Sequence, residues 1–119
     1  RGTVQSRIAQ LFDGRTLRPQ SVTVPPEALG YSIRAIVTAE VDQDRFDEAM
    51  VALLEIPTII ECVATSGQND LLCQVVARDT DDLYAVGQSI LRCPGIRRTA
   101  TSIVLKELIA YRTTPLLDG

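Results

Sequence analysis

The sequence predicts an α+β sandwich in which two helices pack on one four-stranded antiparallel sheet, and three observations predict it. From Tyr31 to Val41, Tyr31, Ile33, Ala35, Val37, Ala39 and Val41 alternate with Ser32, Arg34, Ile36, Thr38 and Glu40, the period of a strand. Two stretches with helical spacing each open on acidic residues and stop before a proline. Between them, two β-rich runs flank the polar turn Ser66-Gly67-Gln68-Asn69 and read as a hairpin with a short loop. The resulting order is strand, helix, strand, strand, helix, strand. Two βαβ halves joined by a hairpin give the split βαβ, ferredoxin-like βαββαβ sandwich. Right-handed crossovers then send both helices to the same face of the sheet.

The chain has 119 residues, which bounds it to one compact domain with at most a short appendage. A chain of this size buries roughly two thirds of its unfolded surface, enough for a core without staples. A hydrophobic content of 45% argues against disorder. No apolar run approaches the roughly 18 residues of a membrane span, and the start does not resemble a signal peptide. The prediction is therefore a cytoplasmic protein with no membrane partner. Cys62, Cys73 and Cys93 are odd in number, lack CxxC spacing and sit among apolar residues. They read as small buried hydrophobes in a reducing compartment. The chain has no histidine, which removes Cys/His and Ser/His catalysis and most zinc sites.

The net charge of −3 is unevenly spread. Residues 1–24 hold Arg1, Arg7, Arg15 and Arg18 against Asp13 alone, and the remainder is acidic. A basic leader on an acidic body fits a polyanion met only by the leader, and equally a solvated helix with surface arginines.

In order, Val4, Ile8, Leu11 and Phe12 form one apolar stripe, and Gly14 stands where a helix ends. The chain thus opens already in helical register, as a piece of something longer would. Thr16-Leu17-Arg18 and Ser21-Val22-Thr23-Val24 read as short extended segments. Pro25 to Gly30 is punctuation and is taken as a linker. After the first strand, Asp42 to Asp44 are expected to cap a helix that has Asp47 and Glu48 in its first turn. It should bury Phe46, Met50, Leu53 and Leu54 and stop before Pro57. In the hairpin, Ile60, Cys62 and Ala64 should share one face, with Ile59, Val63 and Thr65 on the other. Leu71, Cys73 and Val75 should oppose Leu72 and Val76. The second helix starts at Arg78 to Asp82, buries Leu83, Val86, Ile90 and Leu91, and ends at Pro94-Gly95. Gly87 within it costs up to about 1 kcal/mol against Ala, a sign of close packing there. The last strand runs from Ile96 towards Leu108, and residues 112–119 read as a loose tail. Leu54-x-x-Pro57-x-Ile59 is echoed by Leu91-x-x-Pro94-x-Ile96, a faint internal repeat. Both faces of the hairpin strands are apolar while helices cover only one, so a second subunit is expected on the other.

Two stretches are candidates for a ligand. Gly67 permits close backbone approach and Asp70 suits an ammonium group, although the same residues are what a turn requires. Thr99-Ala100-Thr101-Ser102 offers hydroxyls to a carboxylate, although threonine is also a good strand former. The case for catalysis is thin: there is no GxSxG and no P-loop, and Lys106 is the only lysine. No cofactor or metal is expected.

Leu29-Gly30-Tyr31, Ile60-Glu61-Cys62-Val63, Ser66-Gly67-x-x-Asp70-Leu71-Leu72, Leu91-x-x-Pro94-Gly95-Ile96 and Thr101 to Glu107 together resemble the Lrp/AsnC family of "feast/famine" transcription regulators. The resemblance spans nearly the whole chain in the right order. It implies that residues 1–24 are the remnant of a helix-turn-helix DNA-binding domain, with a recognition-like helix and connecting strand whose Arg1, Thr3 and Arg7 face DNA. It also implies a linker at 25–30, a ferredoxin-like effector-binding and oligomerisation domain at 31–111, and a tail at 112–119. The implied partners are DNA, a small-molecule effector such as an amino acid, and further copies forming a homodimer and then an octamer. The implied effector contacts are Gly67, Gln68, Asn69, Asp70, Thr101 and Ser102 at a subunit interface. The family typically reads Gly-Asp-aromatic-Asp where this chain has Gly67-Gln68-Asn69-Asp70. That departure points to a polar or non-standard effector, or to an effector-free assembly module. The readings from other classes are a dimeric cofactor-free monooxygenase and an amino-acid-binding regulatory module attached to an enzyme.

Overall fold

The computed structural model describes residues 24–67 and 70–117. The chain divides into two units, residues 1–31 and residues 32–119. The expected N-terminal helix and extended segments lie almost entirely in residues 1–23, outside the described residues, as do Arg1, Thr3 and Arg7. The described end of the first unit is a 3-10 turn, Pro26–Leu29. It starts on a proline and is closed by Gly30 at φ 93°, a conformation that costs glycine little.

The second unit follows the predicted order: β1 (Ile33–Val41), α1 (Phe46–Leu54), β2 (Ile59–Ala64), β3 (Leu71–Ala77), α2 (Thr80–Leu91) and β4 (Ile96–Ile103). The strands form one sheet in the order β2-β3-β1-β4, with every neighbouring pair antiparallel. The internal repeat marks equivalent places. Leu54 and Leu91 end the two helices, and Ile59 and Ile96 begin the strands that follow.

Alternation along β1 sets the layers. Ala35, Val37, Ala39 and Val41 are buried, with Val75, Cys73 and Leu71 opposite the first three across the β3 ladder. Ala49 and Leu53 of α1 and Leu83, Val86 and Ile90 of α2 join the same buried cluster. Both helices therefore lie on one face, and the small side chains of Ala35 and Ala39 let them approach the central strand. Asp79 caps α2, its Oδ1 accepting from the Asp82 N–H at 2.7 Å.

Several local expectations give way to the structure. Asp42 makes no capping hydrogen bond, because a 3-10 turn at Gln43–Arg45 comes before α1. Its carboxylate instead meets Arg97 Nε at 3.1 Å. Leu54 and Leu91 are 56% and 38% exposed, lying at helix ends where the sheet no longer covers them. Ala49, unremarked in the sequence, is fully buried in their stead. Gly87 is not required for close packing, since a methyl group there would touch only Thr101 Oγ1 at an ordinary 3.8 Å. Gly95 is the constrained one. It sits at φ 86°, and a Cβ there would lie 3.0 Å from Arg45 Cβ and 3.1 Å from the Arg45 carbonyl oxygen. β1 begins at Ile33, not Tyr31. β4 stops at Ile103 rather than continuing towards Leu108. Ile103 already pairs with Ala35, so β1 has almost no backbone left to offer beyond it. The tail holds a 3-10 turn at Thr114–Leu117.

The hairpin faces also differ from the simple alternation. Ile59 pairs with Val75 but Glu61 pairs with Gln74, which leaves Ile60 as the extra residue of a bulge. The bulge turns Ile59 to the core side with Cys62 and leaves Ile60 48% exposed. Glu61 then falls on the open face, where its Oε1 accepts from Gln74 Nε2 at 3.0 Å. The face away from the helices is thus mixed rather than apolar. Ile36, Val63, Leu72, Val76 and Ala100 share it with Arg34, Thr38, Glu40, Gln74 and Arg98.

Candidate functional site

Asp70, just before β3, is tied to both neighbouring strands by three hydrogen bonds. Its carbonyl accepts from the Thr65 N–H at 2.9 Å, closing the hairpin. Its own N–H donates to the Ala39 carbonyl at 3.0 Å, extending the ladder to β1. Its carboxylate Oδ2 accepts from the Val41 N–H at 2.9 Å. That oxygen stands where the carbonyl of one more strand residue would have been, so β1 keeps its bonding partner although β3 has ended. The second carboxylate oxygen leaves acceptor capacity for a ligand.

Gly67 is exposed at φ 111°, with open space around the position a Cβ would take. Its backbone is open to a ligand, and its conformation disfavours any other residue. Gln68 and Asn69 lie outside the described residues.

The hydroxyl-rich strand is split by its own pleat. Thr101 pairs with Val37 and so faces the helices, with its Oγ1 beside Gly87. Ser102 pairs with Ile36 and faces the open side of the sheet. Both are exposed. Asp70 is tied to Ala39 and Val41, whereas Thr101 lies on the far side of β1 opposite Val37. At about 3.3 Å per residue and 4.8 Å per strand, this separates the two stretches by roughly 10–15 Å. One chain does not bring them together.

Charge gathers at the β1–β4 end. A bulge leaves Arg97 unpaired in the ladder, between Arg98 opposite Glu40 and Ile96 opposite Val41. From there Arg97 reaches Asp42 and, at 3.9 Å, Glu40, which Arg98 also approaches at 3.9 Å. At the other end of β1, Arg34 meets Glu107 at 3.6 Å. These pairs are exposed or half-exposed and add little stability each. Among the described residues no group of three His, Cys, Asp or Glu side chains is placed to hold a metal, and no helix is long and apolar enough to cross a membrane.

Comparison with known proteins agrees with this geometry. Residues 34–114 match the family model described as the Lrp/AsnC ligand binding domain. The chain is 30% identical over 104 residues to the HTH-type transcriptional regulator FL11 of Pyrococcus horikoshii, covering 87% of this chain and 69% of that protein. It is also 31% identical over 102 residues to a homocitrate synthase of Sulfurisphaera tokodaii, covering 85% of this chain but 20% of the enzyme. Among solved structures, E. coli AsnC superposes with a TM-score of 0.73 at 22% identity, covering 93% of this chain and 76% of that one. A Neisseria meningitidis regulator, NMB0573, solved with L-Met, gives 0.71 at 23% identity, covering 89% and 71%. The M. tuberculosis feast or famine protein Rv3291c, solved with L-methionine, gives 0.70 at 24%, covering 92% and 74%. These structural likenesses carry the fold. The match over most of the sheet and both helices, with the FL11 relative, places this chain in the Lrp/AsnC family of transcription regulators, whose ligand-binding domain it carries over residues 34–114.

Proposed function

We propose that this chain is the non-enzymatic assembly and effector-binding part of a cytoplasmic transcription regulator, and that its effector is an amino acid or a related small polar metabolite. The observation that carries the reading is the ligand-binding-domain match over residues 34–114. The FL11 relative named as an HTH-type transcriptional regulator supports the regulatory role, and the two neighbours solved with methionine support the ligand class. DNA is the second partner, met through the family's helix-turn-helix domain, to which residues 1–24 with Arg1, Thr3 and Arg7 belong in this reading. Residues 25–30 are the linker, 31–111 the effector and assembly domain, and 112–119 the tail.

The effector contacts in this reading are Gly67, Gln68, Asn69 and Asp70 from one copy and Thr101 or Ser102 from another. Two copies are needed because the stretches lie apart within one chain. The turn supplies backbone N–H groups and a carboxylate for the amine, and the strand supplies a hydroxyl for the acid. Gln68 and Asn69 add amide groups where the family carries an acid and a ring, which favours a polar effector. A ligand that binds two assembly states with different affinity shifts the balance between them, and that shift is the regulatory output.

A thermal-shift screen of the twenty amino acids tests this reading. A selective ligand present at about a hundred times its dissociation constant adds roughly 2.7 kcal/mol and raises the melting temperature by several degrees. No shift with any of them at millimolar concentration leaves an effector-free assembly module. The homocitrate synthase match favours a second reading, a regulatory module joined to an enzyme. The coding sequence around these residues separates the two: helix-turn-helix helices upstream support the first, and a catalytic domain supports the second.

A further inference from the structure

Cys62 on β2 and Cys73 on β3 are register partners, and their Sγ atoms lie 3.5 Å apart, with the Cys73 thiol donating to the Cys62 sulfur. Their place in the ladder suits a covalent bond. The Thr65 N–H to Asp70 carbonyl bond makes those two a hydrogen-bonded pair. Bonded and non-bonded pairs alternate along an antiparallel ladder, so three steps back Cys62 and Cys73 form a non-bonded pair. Such pairs hold their Cα atoms about 4.5 Å apart, within the roughly 4.4–6.8 Å that disulfides span. A bonded S–S distance is about 2.05 Å, so the sulfurs need to close by about 1.5 Å, a small side-chain rotation.

The two thiols are also differentiated. Cys62 is half-buried on the edge strand, where a small oxidant can reach it, while Cys73 is fully buried. The hydrogen bond from Cys73 holds the Cys62 thiol below the ordinary thiol pKa, against the opposing effects of burial and Glu61. The same bond, with burial, pushes Cys73 up. Cys93 belongs to the same buried cluster, its thiol donating to the Ser89 carbonyl at 3.4 Å, and burial raises its pKa. We infer that Cys62 and Cys73 are an oxidant-responsive dithiol that closes a reversible disulfide across the β2–β3 hairpin.

With a hydroperoxide as oxidant, the Cys62 thiolate sulfur attacks a peroxide oxygen. The O–O bond breaks, water or an alcohol leaves, and Cys62 becomes a sulfenic acid. The Cys73 sulfur then bonds to the Cys62 sulfur, the S–O bond breaks, and the hydroxyl departs as water with the Cys73 proton. Two thiols lose two electrons and the peroxide gains them. A dithiol reductant reverses the bond by exchange. The closed loop runs from Cys62 to Cys73 and contains the whole Ser66 to Asp70 turn, so the bond ties down the segment that carries the candidate site.

The sequence makes the test direct. Trypsin cutting after Arg45 and Arg78 releases one peptide, residues 46–78, that contains Cys62 and Cys73 but not Cys93. The reduced chain is treated with hydrogen peroxide, alkylated in denaturant and digested. The expected peptide is two hydrogens lighter, carries no alkyl group, and regains both sites after dithiothreitol, while Cys93 is alkylated throughout. The oxidised protein should melt about 10 °C higher than the reduced one, as a short closed loop implies. Cys73→Ser, which keeps a donor beside Cys62 but cannot form the disulfide, should stall Cys62 as a sulfenic acid that dimedone captures, and Cys62→Ala should leave Cys73 unmodified. Peptide 46–78 still doubly alkylated after peroxide overturns the inference. So does Cys62 advancing to sulfinic acid while Cys73 remains alkylated.

Discussion

Ile90→Ala should destabilise the domain by about 3–4 kcal/mol and lower its melting temperature by roughly 15 °C. Ile90 is 0% exposed and lies in the core cluster between α2 and the sheet. Truncation removes three methyl or methylene groups from a site that the surrounding β-structure cannot collapse to fill. Its neighbour Leu91, 38% exposed at the end of the helix, is the internal control. Leu91→Ala should cost less than about 1 kcal/mol. Chemical denaturation of the two variants reads both values. Similar losses at the two positions would mean that the last turn of α2 is oriented differently.

The second large effect is at Asp70. Asp70→Ala removes the charged acceptor of the Val41 N–H, which is part-buried, and should cost about 1.5–3 kcal/mol. Asp70→Asn keeps a side-chain oxygen for that N–H while removing the charge, so its stability should fall by less than about 1 kcal/mol. If the same carboxylate holds an effector's ammonium group, Asp70→Asn should weaken binding by at least about tenfold. The pair of variants separates the two roles of one side chain. Full effector affinity in Asp70→Asn would assign the carboxylate to the turn alone.

The architecture was legible because its signals are periodic. Alternation along β1, helical spacing in α1 and α2, and the polar turn between apolar runs each reflect a repeated burial decision. What the sequence hid was local geometry with no period. The bulge at Ile60 exchanged the faces of Ile59 and Ile60, and nothing in Thr58-Ile59-Ile60-Glu61 marks which residue is extra. Asp42 looks like a cap, but its partner Arg97 comes from a second bulge 55 positions along the chain. β4 ended early because its partner strand ran out, which its own residues do not record.

The candidate site was legible in part. Asp70 stood out as a turn acid, yet its bond to Val41 depends on a strand 29 residues away. Thr101 and Ser102 form one hydroxyl stretch in the sequence, whereas consecutive strand residues must face opposite sides, and the register sends only Ser102 to the open face. The cysteine pair was within reach. With Thr65 closing the hairpin on Asp70, counting three residues back along each strand sets Cys62 opposite Cys73. No one of the three cysteines alone carries that information.

Sedimentation velocity at micromolar concentration, with and without the amino acid selected by thermal shift, tests whether the effector site is shared between two copies. A site drawn from two copies requires an assembly, and a regulatory effector must move its equilibrium. The expected result is a dimer or larger species without ligand and a changed distribution of assemblies with it. A monomer under both conditions would contradict the account.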